Sequence, residues 1–211
     1  MSSPSHPGFF EVLAVRRAYT TLLYLLLSLG TGILAFTFAV TGLSLSLGLA
    51  ILIVGLPVAL LFLLGTRLLS VAELHLLRLL VDDGMEAAPI PDPLPPGTGF
   101  LARTKALAAD RRTWTSLLYF LLHLPLGIAY FTAFATLLSV GLSLIAAPFA
   151  PLFGATASLD LGAPAWLAAH PGSAGVLCAL AGLALLPLTF HLALALGRFQ
   201  TWLARHLLVR A

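Results

Sequence analysis

The chain has 211 residues, 60% hydrophobic and only 9% charged, with a mean hydropathy of +1.04. A soluble domain carries about 25% charged residues to cover its outside, so a soluble enzyme, a disordered tail and a free nucleic-acid binder are excluded. The single cysteine, Cys178, excludes a disulfide framework and a cysteine-based zinc site, which leaves an all-α polytopic membrane protein.

Residues 18–66, 113–159 and 161–197 contain no Asp, Glu, Lys or Arg. Each run exceeds the roughly 20 apolar residues that cross a bilayer as a helix. The first fits two spans, with a turn expected at its small polar residues Thr41, Gly42, Ser44, Ser46 and Gly48. The four expected spans are therefore 18–40, 47–66, 113–147 and 174–197. Residues 148–172, rich in Pro and Gly, read as an outer loop with a short interfacial helix near Trp166. Asp160 in that loop is expected to cap the helix. The run from Ala18 is too long for a signal-peptide core and reads as an uncleaved span.

All eleven lysines and arginines fall in the N-terminal, central and C-terminal segments. Arg16, Arg17, Arg67, Arg111, Arg112, Arg198 and Arg205 are expected to anchor the topology from one side. By the positive-inside rule that side is the cytoplasm, with both termini, in a multi-pass protein of the bacterial inner membrane.

Residues 16–37, RRAYTTLLYLLLSLGTGILAFT, recur at 111–132 as RRTWTSLLYFLLHLPLGIAYFT, with an offset of 95 and 13 of 22 positions identical. Gly8-Phe9-Phe10 mirrors Gly99-Phe100-Leu101, and Arg67 with His75-Leu76-Leu77 mirrors Arg198 with His206-Leu207-Leu208. Two such two-span units, of equal sense, give a parallel repeat: 1–81, a Pro-rich linker 82–98, and 99–211. The linker's prolines at 89, 91, 93, 95 and 96 make it an extended spacer. In 66–81, Arg67, Ser70 and Glu73 share helical spacing among leucines; in 198–211, Arg198, Thr201 and Arg205 do. These segments are either amphipathic helices for a membrane surface or partner groove, or continuations of the spans with snorkelling arginines.

The motif RRxWxxLLYxLLxLPLGIxxF, carried by Arg111, Arg112, Trp114, Leu117, Leu118, Tyr119, Leu124, Pro125, Leu126 and Gly127, is followed by TLLSVGLSLIAAP at 136–148. With GLPVALLFLLGTRLLSVAELHLLRLLV at 55–81, it resembles the sensor domain at the N-terminus of many bacterial membrane histidine kinases. The likeness covers roughly residues 9–209. It implies a four-span module with a signal-sensing role and carries over no catalytic or ligand residue. Related kinases continue into an output domain where this sequence reaches Ala211, so the expectation is either a module acting through a separate protein or one whose role differs from sensing.

Ionisable groups inside spans are the first functional candidates, and here these are His123 and His191. Both sit near prolines, Pro125 and Pro187, whose missing N–H leaves a carbonyl for a histidine to satisfy. Their depths allow the rings to meet as a pH-responsive pair; the plainer expectation is two neutral, separately bonded histidines that hold helices together. The glycines at 30, 32, 42, 48 and 55 allow close helix approach, while Tyr19, Tyr24, Trp114 and Tyr119 suit an interfacial belt. Two histidines fall short of a metal site, and no cofactor or catalytic group is expected. The leading expectation is a non-catalytic sensor or regulatory module relaying a membrane or extracytoplasmic signal. Its partners are the lipid bilayer and a separate signalling or membrane protein, with a homo-oligomer possible and no nucleic acid. The alternatives are an accessory structural subunit of a larger membrane complex and a small oligomeric transporter or channel.

Overall fold

Leucine-rich, uncharged stretches build long helices, and the computed structural model describes residues 8–49, 55–81, 100–149 and 171–209. A single 3₁₀ turn at Glu11–Ala14 leads into α1 (Arg16–Gly48), which is followed by α2 (Gly55–Leu80). A short α3 (Phe100–Ala109) leads through Asp110 into α4 (Arg111–Ala146). Last comes α5 (Pro171–Ala204), whose end widens into a π-helical turn at Arg205–Val209. No strand occurs among the described residues. Four helices are long and apolar enough to cross a membrane: Arg16–Gly48, Gly55–Leu80, Arg111–Phe149 and Gly172–Leu208. Leu61 and Leu79, each about three-quarters exposed at 74% and 76%, suit an acyl environment rather than water.

The turn expected at 41–48 is instead helix, and α1 runs through Gly48. Gly42 stays within it because a side chain there would collide with the Phe62 ring of α2. Segments 66–81 and 198–204 continue α2 and α5. Their polar stripe in α2 faces inward: Arg67, Ser70 and Glu73 are buried, while Leu68 and Leu79 face out. The linker 82–98 and nearly all of the outer loop 148–172, with Asp160 and Trp166, lie outside the described residues.

The most extensive packing among the described residues joins α1 to α4. A Cβ on Gly32 would stand 3.0 Å from the His123 carbonyl oxygen, and one on Gly127 only 2.5 Å from that of Ser28. The two backbones therefore touch, as small residues allow. Ala39, Val40, Leu43 and Ser44 of α1 share a cavity of about 320 Å³ with Trp114, Leu117, Leu118 and Leu121 of α4. As α1 advances from Ser28 to Ser44, its neighbour in α4 retreats from Gly127 to Trp114, so the two helices run antiparallel. Within each pair the helices are antiparallel too: Arg17 bonds Val81 while the Phe38 ring packs tilted against Phe62, and Arg112 bonds Leu208 while Gly141 faces Gly182.

This corrects the expected parallel relation of the two units. The double arginines Arg16-Arg17 and Arg111-Arg112 stand at opposite ends of the α1–α4 pair, so the packing does not gather the arginines on one face. The start of α1 and the end of α5 likewise lie at opposite ends. The physical reason is the packing of α2 alongside α4 in the same sense, with Arg67 at Asp110 and Glu73 at Tyr119.

Buried positions nevertheless keep the sequence spacing of 95 between α1 and α4: Thr21 and Ser116, Tyr24 and Tyr119, Ser28 and His123, Gly32 and Gly127. Between α2 and α5 the buried positions lie 127 apart, as in Glu73 and Gln200 or Leu77 and Ala204. That is one helical turn short of the 131 given by matching Arg67 to Arg198. Inward facing, not leucine content, decides the correspondence.

Two outcomes check this packing. Gly127→Ala drives a methyl into the Ser28 carbonyl and is expected to cost about 1–3 kcal/mol, read by thermal unfolding in detergent. Gly30→Ala, which meets nothing within 4 Å, is expected to be neutral or slightly stabilising. With Cys178 replaced by Ala, a short bis-maleimide is expected to link Val40→Cys to Leu118→Cys and not to Ala135→Cys; the reverse pattern would restore a parallel pair.

Candidate functional site

Glu73 is the only carboxylate inside a long helix among the described residues, and 8% of its surface is exposed. Such an acid needs donors, because an apolar surround solvates no charge. Tyr24 of α1 donates to Glu73 Oε1 at 2.6 Å, and Tyr119 of α4 donates to the same oxygen at 3.2 Å. Gln200 of α5 donates from Nε2 to the Tyr119 hydroxyl at 3.0 Å and to His123 Nδ1 at 3.1 Å. The Gln200 carbonyl oxygen accepts from Tyr130 at 3.2 Å. His123 Nε2 is 3.0 Å from the Thr31 hydroxyl and 3.8 Å from Glu73 Oε1, and its ring stacks on Tyr119. One cluster thus takes a side chain from each of the four long helices.

Donor counting sets the histidine tautomer. Gln200 can give only N–H to His123 Nδ1 while its oxygen takes the Tyr130 hydroxyl, so Nδ1 accepts and the ring proton sits on Nε2. Neutral His123 then points its N–H toward Thr31 and Glu73.

The two histidines singled out from sequence do not come together. His191 Nδ1 donates to the Pro187 carbonyl at 2.9 Å, and its ring lies parallel to Phe9 at 6.0 Å. It binds the carbonyl of the proline itself and not the one that the proline leaves without a donor. His123 likewise spends its nitrogens on other helices.

The expected anchors divide into two kinds. Arg16, Arg111 and Arg198 are exposed and Arg205 is half-buried. Arg17 and Arg112 are structural: their Nε atoms donate to the Val81 carbonyl at 3.1 Å and the Leu208 carbonyl at 3.0 Å, tying each helix start to the end of an outgoing helix. Buried Arg67 pairs with Asp110, which also caps α4 by accepting from the Arg112 backbone N–H at 2.9 Å. Just beyond, Tyr19 donates to the Leu13 carbonyl and Trp114 to that of Ala108, each six residues back. Those aromatics fasten the lead-in segments rather than forming a belt alone.

Sequence reasoning missed Glu73, Gln200, Thr31 and Tyr130 as site residues, and it assigned Tyr24 and Tyr119 to anchoring. The available signal was the isolation of Glu73 among leucines, together with two tyrosines recurring at the 95-residue spacing.

A family model with the description "Putative sensor" matches residues 24–208, which takes in the whole cluster. The chain belongs to this family. No curated protein and no solved structure matches it. In this sensor-family chain the matched span begins at Tyr24 and ends at Leu208, the first cluster tyrosine and the carbonyl that Arg112 holds.

Asp110 lies just outside the spanning segments. Burial pushes its carboxyl up, but the Arg67 hydrogen bond, the Arg112 backbone N–H and both guanidinium charges outweigh that and hold it below the usual carboxylate range. A depressed folded value gives stability that is present above the unfolded value of about 3.9 and lost as pH falls through the folded one. Asp110→Asn is therefore expected to lower thermal stability in detergent at neutral pH, with the gap from wild type closing below about pH 4. A gap that stays constant into acid would assign Asp110 to capping alone.

Proposed function

We propose that this protein is a non-catalytic sensor or regulatory module of the bacterial inner membrane that passes a membrane or extracytoplasmic state to a separate protein partner. The observation carrying this is the four-helix cluster at Glu73. A carboxylate that accepts from α1 and α4, beside a glutamine from α5, makes the position of each helix a condition for the hydrogen bonds of the others. A displacement of one hairpin therefore changes the bonds of the second. The ends of α2 and α5, which Arg17 and Arg112 hold by their last carbonyls, lie at opposite ends of the bundle, so output to one partner runs through one of them and the other faces the opposite side. Family membership supports the sensing half of this reading.

The test uses two variants in the full chain. Glu73→Ala strands two buried hydroxyls, at about 1–3 kcal/mol each, and is expected to lower thermal stability by several kcal/mol. Glu73→Gln keeps the shape, so it is expected to stay folded while changing which proteins co-purify in mild detergent. Unchanged co-purification in folded Glu73→Gln would sink the relay.

A second reading is favoured by one observation. An antiparallel pairing of two similar units around a buried acid is the arrangement of inverted-repeat transporters, whose ion sites lie at the repeat interface. Liposomes loaded with a pH-sensitive dye decide it: the sensor reading expects no proton flux above empty vesicles, and flux abolished by Glu73→Gln would replace it with transport.

A further inference from the structure

The cluster holds one carboxylate and one imidazole among uncharged hydrogen-bonding groups. The groups facing Glu73 are Tyr24 and Thr31 from α1, Tyr119 and His123 from α4, and Gln200 from α5, with Tyr130 one bond further. None of the contacts described for these side chains is to a lysine or arginine. Arg67 is engaged at Asp110, and Arg17 and Arg112 at helix-end carbonyls. With His123 neutral, as its tautomer requires, an ionised Glu73 is a buried anion 3.8 Å from an uncharged imidazole. Such a charge is costly until something neutralises it.

We propose that the cluster is a binding site for one proton, taken up by His123 Nδ1, and that its arrival turns the Gln200 amide over and moves the Tyr119 hydroxyl from Glu73 to Gln200. The proton comes from water and forms one N–H bond, and no other covalent bond changes. Nδ1 becomes a donor facing the Gln200 NH2, and two donors at 3.1 Å repel. Turning the amide puts its carbonyl oxygen where the NH2 stood, between His123 and Tyr119. Both then donate to it, so Tyr119 gives up Glu73. The NH2 now meets Tyr130, whose oxygen can accept. Glu73 keeps Tyr24 and gains the imidazolium, and this ion pair offsets the loss of the Gln200 oxygen as acceptor for the Tyr130 hydroxyl. The effect is to exchange an α4-to-α2 hydrogen bond for an α4-to-α2 ion pair one turn further along α4, driven by one proton.

This inference rests on the relay reading for its use, but not for its test. The full chain is reconstituted in vesicles of phosphatidylethanolamine and phosphatidylglycerol and titrated from roughly pH 5 to 8, where imidazole ionises. Infrared difference spectra read the tyrosine C–O and carboxylate bands. The expected result is a single one-proton transition in which both bands move together. His123→Gln is expected to abolish it. Gln200→Glu, which offers an imidazolium a permanent acceptor and a charge, is expected to move the midpoint up by about one unit or more. It keeps the proposal testable if His123→Gln fails to fold. Bands that do not move in the wild type, that move unchanged in His123→Gln, or that keep their midpoint in Gln200→Glu would each overturn the site. Exchange of potassium for sodium is expected to leave the midpoint in place; a shift would overturn the proton in favour of a metal cation. Partner capture takes no part in this readout. A transition that persists while Glu73→Gln leaves co-purification unchanged overturns the relay and leaves the proton site standing.

Discussion

A carboxylate inside a bundle of leucine helices is the constraint on which the rest depends. Glu73 cannot be left without donors, and leucine, alanine and valine supply none. Tyrosines answer the need with a hydroxyl at the end of a long apolar body, so Tyr24 and Tyr119 can start from different helices and meet at one oxygen. Their reach brings α1 and α4 to the same point, and Gln200 adds α5. The glycines at 32 and 127 then remove the side chains that would hold α1 and α4 apart. Polar convergence and backbone contact thus support one joint.

Much of the architecture was legible in the sequence. Long runs without charge give the four helices, and the double arginines mark two helix starts. What was not legible has physical reasons. Glu73 shares helical spacing with Arg67 and Ser70, and a polar stripe has the same period whether it faces solvent or a core; only the partner helices decide. The direction of α4 against α1 is equally invisible, since a glycine contact serves either sense. The topology rule weighs arginines by count, whereas Arg17, Arg67 and Arg112 are spent on carbonyls and a carboxylate. The 131-residue match between the second helices sets buried Arg67 against exposed Arg198 and rests otherwise on leucines and exposed histidines, so residue identity there does not follow the inward face.

His123 was found for the right reason and given the wrong partner. An ionisable ring in an apolar span does mark a site. Depth along a helix, however, says nothing of the face on which a ring emerges, and His191 turns back on its own helix toward Phe9. Where both nitrogens of a histidine are spent on neighbouring helices, its protonation state and the helix arrangement become one variable.

The near-symmetry of the joint has a consequence for what its halves can do separately. Positions 95 apart pair Ser28 with His123, and positions 127 apart pair Glu73 with Gln200. Two copies of the first half would bring two acids to the axis with no base. Two copies of the second would bring two bases with no acid. The acid and the base have been divided between the halves, so neither is a smaller version of the whole: the stoichiometry of the joint exists only in the mixed pair.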